Sequence, residues 1–183
     1  MSICNKEATR NNGLSVNRFS TKQMAIAGML GGLSIALSMT PIGYIPIPFL
    51  GISATTMHIP VIIGAILGGP VIGTFVGIIF GISSLLRATT PFFADPRVAI
   101  LPRLFIGVTS YYTYKISKNS ILAAIVGTAT NTLGVLSMVY FLGYLPLEVV
   151  LGVASVNGIT EIIISSFIVY AVVKGMKNIN KQS

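Results

Sequence analysis

The stretch that decides the fold runs from His58 to Ala88, HIPVIIGAILGGPVIGTFVGIIFGISSLLRA. From Ile59 to Leu86 it holds no charged residue, and its one interruption is Gly68-Gly69-Pro70. Two glycines and a proline stop a helix, because glycine favours the turn and proline removes a donor. The reading is two apolar helical segments, Ala54–Leu67 and Val71–Leu86, joined by a tight reversal. A hydrocarbon core about 30 Å thick takes roughly 20 apolar residues per crossing. Segments this short suit a compact bundle that thins the bilayer or buries its loops at membrane depth. Along the second segment Gly69, Gly73, Gly77 and Gly81 recur every four residues. In lipid, helices associate by van der Waals packing, so this stripe predicts a close contact with another helix inside the bundle.

The pattern extends outward in both directions. Upstream, Met24–Met39 is a first apolar segment ended by Thr40-Pro41. Between the two lies PIGYIPIPFLGIS, Pro41 to Ser53, with three prolines and no charge. It cannot be a regular helix and reads as an ordered apolar loop. Downstream, Arg87 to Arg97 is a loop containing Pro91, Asp95 and Pro96. A fourth segment, Val98–Ile116, ends at a polar turn around Lys118. A fifth, Ile121–Leu142, is broken by Gly143 to Pro146, and a sixth runs Leu147–Val173. The fold class expected is an all-α membrane protein, a compact bundle of six transmembrane helices. Residues 1–22 read as a polar cytoplasmic tail, 23–174 as the transmembrane domain and 175–183 as a basic cytoplasmic tail. The first 23 residues hold no apolar run, so no signal peptide is expected.

Composition agrees. Of 183 residues, 53% are hydrophobic and 9% charged. Soluble domains carry roughly 25% charged residues. The net charge of +8 does not point to nucleic acid, because the basic residues sit at the ends and in loops rather than in a stripe. With both termini cytoplasmic, the inner side carries Lys6, Arg10, Arg18, Lys22, Lys115, Lys118, Lys174, Lys177 and Lys181, nine of the twelve basic residues. That is the positive-inside pattern. Arg87, Arg97 and Arg103 remain, on or near the outer loop between segments three and four. Cys4 is the single cysteine, which excludes an intramolecular disulfide.

Enzyme and nucleotide motifs are missing from the sequence. No G-x-x-x-x-G-K-[ST] occurs, so ATP hydrolysis by a P-loop is not expected of this chain. His58 is the single histidine, and the four acids are Glu7, Asp95, Glu148 and Glu161. No metal-ligand cluster or cofactor motif forms from them, and none is expected to be bound. The intramembrane polar residues are more telling. Asn157 and Glu161 are four apart and share a helix face. Asn131 lies mid-segment with Thr128 and Thr132 nearby. Such groups are costly in lipid and face the interior or a wet cavity. They serve either as interhelical hydrogen bonds or as ligand contacts, and the residues alone leave both open. Arg103, one residue after Pro102, is the deepest of the three outer arginines. Asp95 offsets one of them, and the surplus positive charge calls for an anion or for Glu161 across the cavity. A guanidinium fork matches a carboxylate.

These stretches carry a resemblance. TKQMAIAGMLGGLSIAL (Thr21–Leu37), the His58–Ala88 run, FADPRVAILPRLFIG (Phe93–Gly107) and VNGITE (Val156–Glu161) resemble the substrate-binding S components of energy-coupling factor (ECF) vitamin transporters. The SLLRA and DPRVAILPR stretches are similar to those of the pantothenate-type subgroup. The resemblance implies six helices and a vitamin pocket near the outer face. That pocket is walled by the loops after helices one and three and by helices four to six. It also implies a membrane coupling protein (EcfT-type) bound to two ATPase subunits. The family's A-x-x-x-A docking face on helix one matches Gly28 and Gly32 by position, with glycine in place of alanine. The expected substrate contacts are Arg103, Arg87, Arg97, Asn131, Asn157, Glu161, Tyr44 and His58. Riboflavin, pyridoxine or hydroxymethylpyrimidine are alternative substrates. A small intramembrane enzyme using His58 and Glu161, or a structural bundle without a ligand, are the rival classes.

Overall fold

The structure is a computed structural model that describes residues 20–47, 52–87 and 90–182. Six helices follow in order: α1 (Thr21–Met39), α2 (Ile59–Gly68), α3 (Pro70–Arg87), α4 (Pro96–Ser117), α5 (Ser120–Phe141) and α6 (Leu147–Gln182). Their punctuation is that of the sequence. Ser20 precedes α1, and its backbone N–H donates to Gln23 Oε1 at 3.0 Å. The Gln23 amide in turn donates to the Gly68 carbonyl at 3.1 Å, tying the start of α1 to the end of α2. Gly69 makes the α2–α3 reversal with φ +97°, a backbone that only glycine adopts freely. Asp95 caps α4 by accepting the Arg97 backbone N–H at 2.9 Å, and Asn119 caps α5 by accepting that of Ile121 at 2.9 Å. Asp95 thus meets a helix terminus rather than only offsetting a guanidinium.

Three boundaries differ from the sequence reading by three residues or more. α1 begins at Thr21, three residues before the apolar run, because the Ser20–Gln23 cap recruits Thr21 and Lys22. The second segment starts at Ile59 rather than Ala54. Between α1 and α2 the chain forms a short antiparallel hairpin, β1 (Tyr44–Ile47) with β2 (Ile52–Thr55), Tyr44 opposite Thr55. The prolines that forbid a helix there tolerate an extended edge strand. Finally, α6 runs on past Val173 through the basic residues to Gln182. Residues 1–19 of the N-terminal tail lie outside the described residues.

Buried polar side chains share the interior with an apolar core, and many large apolar side chains face outward. On α6, Asn157, Glu161, Ser165, Val169 and Val173 are buried, a stripe repeating every four residues, while Ile159, Ile163 and Phe167 are exposed. Exposed apolar and buried polar side chains are what a lipid solvent selects. α3, α5 and α6 are each long and apolar enough to cross a membrane, and α2 is a shorter apolar helix. α2 forms the centre: Ile59 to Ala65 are all buried and pack with Val76, Phe80, Ile106, Val169 and Val173.

The glycine stripe is an internal seam. A Cβ at Gly73 would stand 2.6 Å from Ala65 Cβ and 2.9 Å from the Gly107 Cα; one at Gly81 would stand 3.1 Å from the Ala99 carbonyl. At Gly77 it would collide with the Arg103 carbonyl. α3 therefore lies backbone against backbone with α4. Gly69 belongs to the turn and has nothing near it, so three of the four glycines make the seam.

Candidate functional site

Proline has no N–H, so Pro102 within α4 leaves the carbonyl one turn before it, that of Val98, without its helical donor. Arg103 supplies one. Its side chain folds back toward the helix start, as long helical side chains do, and Nη1 donates to the Val98 oxygen. Nη2 reaches Ser84 Oγ on α3 at 3.4 Å. The guanidinium carbon lies 5.1 Å from the ring centroids of both Phe80 and Phe93, within cation–π range. Arg103 is 2% exposed. The next helix makes room for the proline ring: a Cβ at Gly134 of α5 would stand 2.9 Å from Pro102 Cβ.

α5 and α6, with Thr55 of the hairpin and His58 before α2, build two rungs of hydrogen bonds. Glu161, 6% exposed, accepts the Thr55 backbone N–H on Oε1 at 2.7 Å and the Thr55 hydroxyl at 3.2 Å. Its Oε2 accepts the Thr132 hydroxyl at 2.8 Å. One turn deeper, His58 Nε2 meets Thr128 Oγ1 at 3.0 Å, and Thr128 Oγ1 meets Ser165 Oγ at 2.8 Å. Thr128/Thr132 and Glu161/Ser165 are i, i+4 pairs, so each helix supplies one member to each rung. A carboxylate that accepts three hydrogen bonds recovers much of what desolvation costs it.

The sequence candidates therefore divide. Arg103, His58, Asn131, Asn157 and Glu161 are all buried. The Asn131 carboxamide oxygen has no hydrogen-bond partner among the described residues. Arg87 and Arg97 are exposed at the end of α3 and the start of α4. Tyr44 belongs to β1, and its side chain lies outside the described residues. Gly28 and Gly32 are exposed on α1 with nothing within 4 Å of a Cβ at either. Thr55, Ser84 and Ser165 are not among the sequence candidates. Thr55 contributes a backbone donor from the end of β2, where the sequence reading starts the second helical segment, and no local pattern reveals this. Ser165 continues the Asn157–Glu161 spacing and was legible on that ground.

Fold and polar interior together define a class: a six-helix membrane protein whose charged and hydroxyl-bearing groups converge inside the bundle. Comparison with known proteins makes this specific. The family model for the substrate-specific component of ECF transporters matches residues 22–173. A pantothenic acid transporter, PanT, of Lactococcus lactis subsp. cremoris (strain MG1363) is 32% identical over 160 residues, covering 72% of this chain and 82% of that protein. A solved chain from "Structure and mechanism of the S component of a bacterial ECF transporter" superposes with a TM-score of 0.69 at 23% identity, covering 87% of this chain and 98% of that one; this likeness shows the fold. The chain belongs to the ECF transporter substrate-specific components. It is a bacterial membrane protein of a transport family.

Proposed function

We propose that this chain captures pantothenate at the outer face of the membrane and hands it to an EcfT-type membrane coupling protein driven by two ATPase subunits. The observation that carries the substrate is the identity shared with the pantothenic acid transporter over most of both chains. Chemistry supports it. Pantothenate offers a carboxylate, hydroxyls and an amide. Arg103 is the proposed carboxylate anchor, with Arg87 and Arg97 drawing the anion to the mouth. Asn131, whose oxygen is left without a partner, and Asn157 suit the hydroxyl and amide groups. Glu161 clasps Thr55 to α5 and α6, beside the buried His58, and Tyr44, paired with Thr55 in the hairpin, is proposed as a further contact. On this reading the chain acts by binding, not by catalysis.

Mass spectrometry of small molecules released from gently purified protein tests the substrate. Pantothenate near one equivalent is expected. Riboflavin, pyridoxine or hydroxymethylpyrimidine in its place would replace the vitamin and keep the transport role; a chain that carries none of them across all growth media would remove the proposal.

Orientation follows from charge: both termini are proposed to be cytoplasmic, with Asp95 and Gly143 outside. Single cysteines at Gly143 and Asn119, in a background lacking Cys4, distinguish the sides. A membrane-impermeant thiol reagent on intact cells should label position 143. Labelling at 119 alone would invert the topology.

A further inference from the structure

At the end of the bundle marked by the α4–α5 turn, a cleft of about 420 Å³ opens between that turn and α6. It is separate from the Glu161 and Arg103 interior: Ser120 and Val173 on its wall are eight and twelve residues from Thr128 and Glu161, roughly 12 and 18 Å along their helices. Its walls are Lys118, Asn119, Ser120, Tyr170, Lys174 and Lys177, with Val173 at the floor. Three ammonium groups converge there, and no carboxylate lines the cleft among the described residues. Two of the lysines rest on aromatic rings. Lys174 Nζ donates to Tyr170 Oη at 3.2 Å and lies 5.2 Å from that ring's centroid. Lys177 Nζ lies 5.4 Å from the Tyr114 ring centroid.

Like charges gathered without a counter-charge repel one another, so the arrangement is completed by an anion. Lysine recognises phosphate as a point charge. The surroundings say which phosphate. Ile116 and Leu122 lie two and four residues from Lys118, and Phe167 lies about two turns along α6 from Lys174; all three are exposed apolar side chains. A headgroup seated on the lysines would lay its acyl chains along that apolar surface, whereas a soluble anion would leave it unused. We infer that this cleft binds the phosphate headgroup of an anionic phospholipid, as a site distinct from the substrate interior.

Native mass spectrometry of the full chain, in detergent micelles doped with equal phosphatidylglycerol and phosphatidylcholine, tests this. Retention of phosphatidylglycerol over phosphatidylcholine is expected. Each lysine near an anionic headgroup contributes about fivefold, so Lys118→Asn/Lys174→Gln/Lys177→Gln together should lower that retention about a hundredfold. Asparagine is chosen at 118 because φ is 55° there, a conformation it tolerates. Lys174→Gln alone, an exposed change, should give about a fivefold loss and answers the question should the triple variant fail to accumulate. Equal retention of both lipids, or unchanged retention by Lys174→Gln and by any folded triple variant, overturns the site. Displacement of the lipid by excess inorganic phosphate would overturn the lipid assignment in favour of a soluble anion.

Discussion

α3 and α1 both carry glycines spaced by four, yet the two stripes meet different surroundings. Gly73, Gly77 and Gly81 on α3 have α2 or α4 against them, close enough that a methyl group would collide or press. Gly28 and Gly32 on α1 face open space, and only their neighbour Gly31 turns inward, onto Ile79. Spacing says that a close helix contact is intended; it does not say with what. The α3 stripe is satisfied within the chain. The α1 stripe is left for something outside it, beside exposed Met29 and Leu33, and the coupling protein is the proposed occupant.

The contrast can be broken by filling each stripe. Gly77→Leu should have the largest effect. Its side chain meets the Arg103 backbone, which cannot yield without moving α4 and the guanidinium it positions. Overpacking typically costs about 1–3 kcal/mol, and more against backbone, so the variant should fail to accumulate or melt far below the parent in a thermal scan. Parent-like melting would show that α3 and α4 are not packed at this distance. Gly28→Leu with Gly32→Leu should leave melting and vitamin binding by the isolated protein unchanged while abolishing ATP-dependent uptake in cells. Unaffected uptake would free this face from docking. Gly31→Ala is the smallest change. Its methyl meets the flexible end of Ile79, 2.6 Å away before adjustment, so a loss of about 1 kcal/mol or less is expected in denaturant melts. A loss as large as that of Gly77→Leu would mean that α1 is as tightly seated as α3.

Much of this was legible in the sequence, for reasons particular residues make plain. Pro41, Gly68-Gly69-Pro70, Pro96, Asn119 and Gly143 each interrupt a helix by removing a donor, permitting a turn or capping the next helix, and all six helices fall between them. Asn131, Asn157 and Glu161 stood out because polarity inside a lipid-soluble segment is expensive. The rest depended on contacts across the chain. The hairpin was hidden because prolines that rule out a helix leave loop and edge strand equally open, and because Ala54 and Thr55 read as the start of the second helical segment. Thr55 meets Glu161 through a separation of 106 residues, and nothing near either residue announces the other. The role of Arg103 needed the structure as well. Its neighbour Pro102 was visible, but that the guanidinium takes up the carbonyl freed by that proline depends on where the side chain turns.

That last point bears on the central claim, because Arg103 serves the fold through Val98 and Ser84 and is also the proposed anchor of the vitamin. Calorimetric titration of purified protein with pantothenate, riboflavin, pyridoxine and thiamine tests it most directly, repeated on Arg103→Lys and on Arg97→Ala as the exposed control. Tight binding of pantothenate alone is predicted, weakened about tenfold or more in Arg103→Lys by loss of a charge-assisted contact worth roughly 1.5–3 kcal/mol, and little changed in Arg97→Ala. Tight binding of another vitamin with no response to pantothenate would contradict the account.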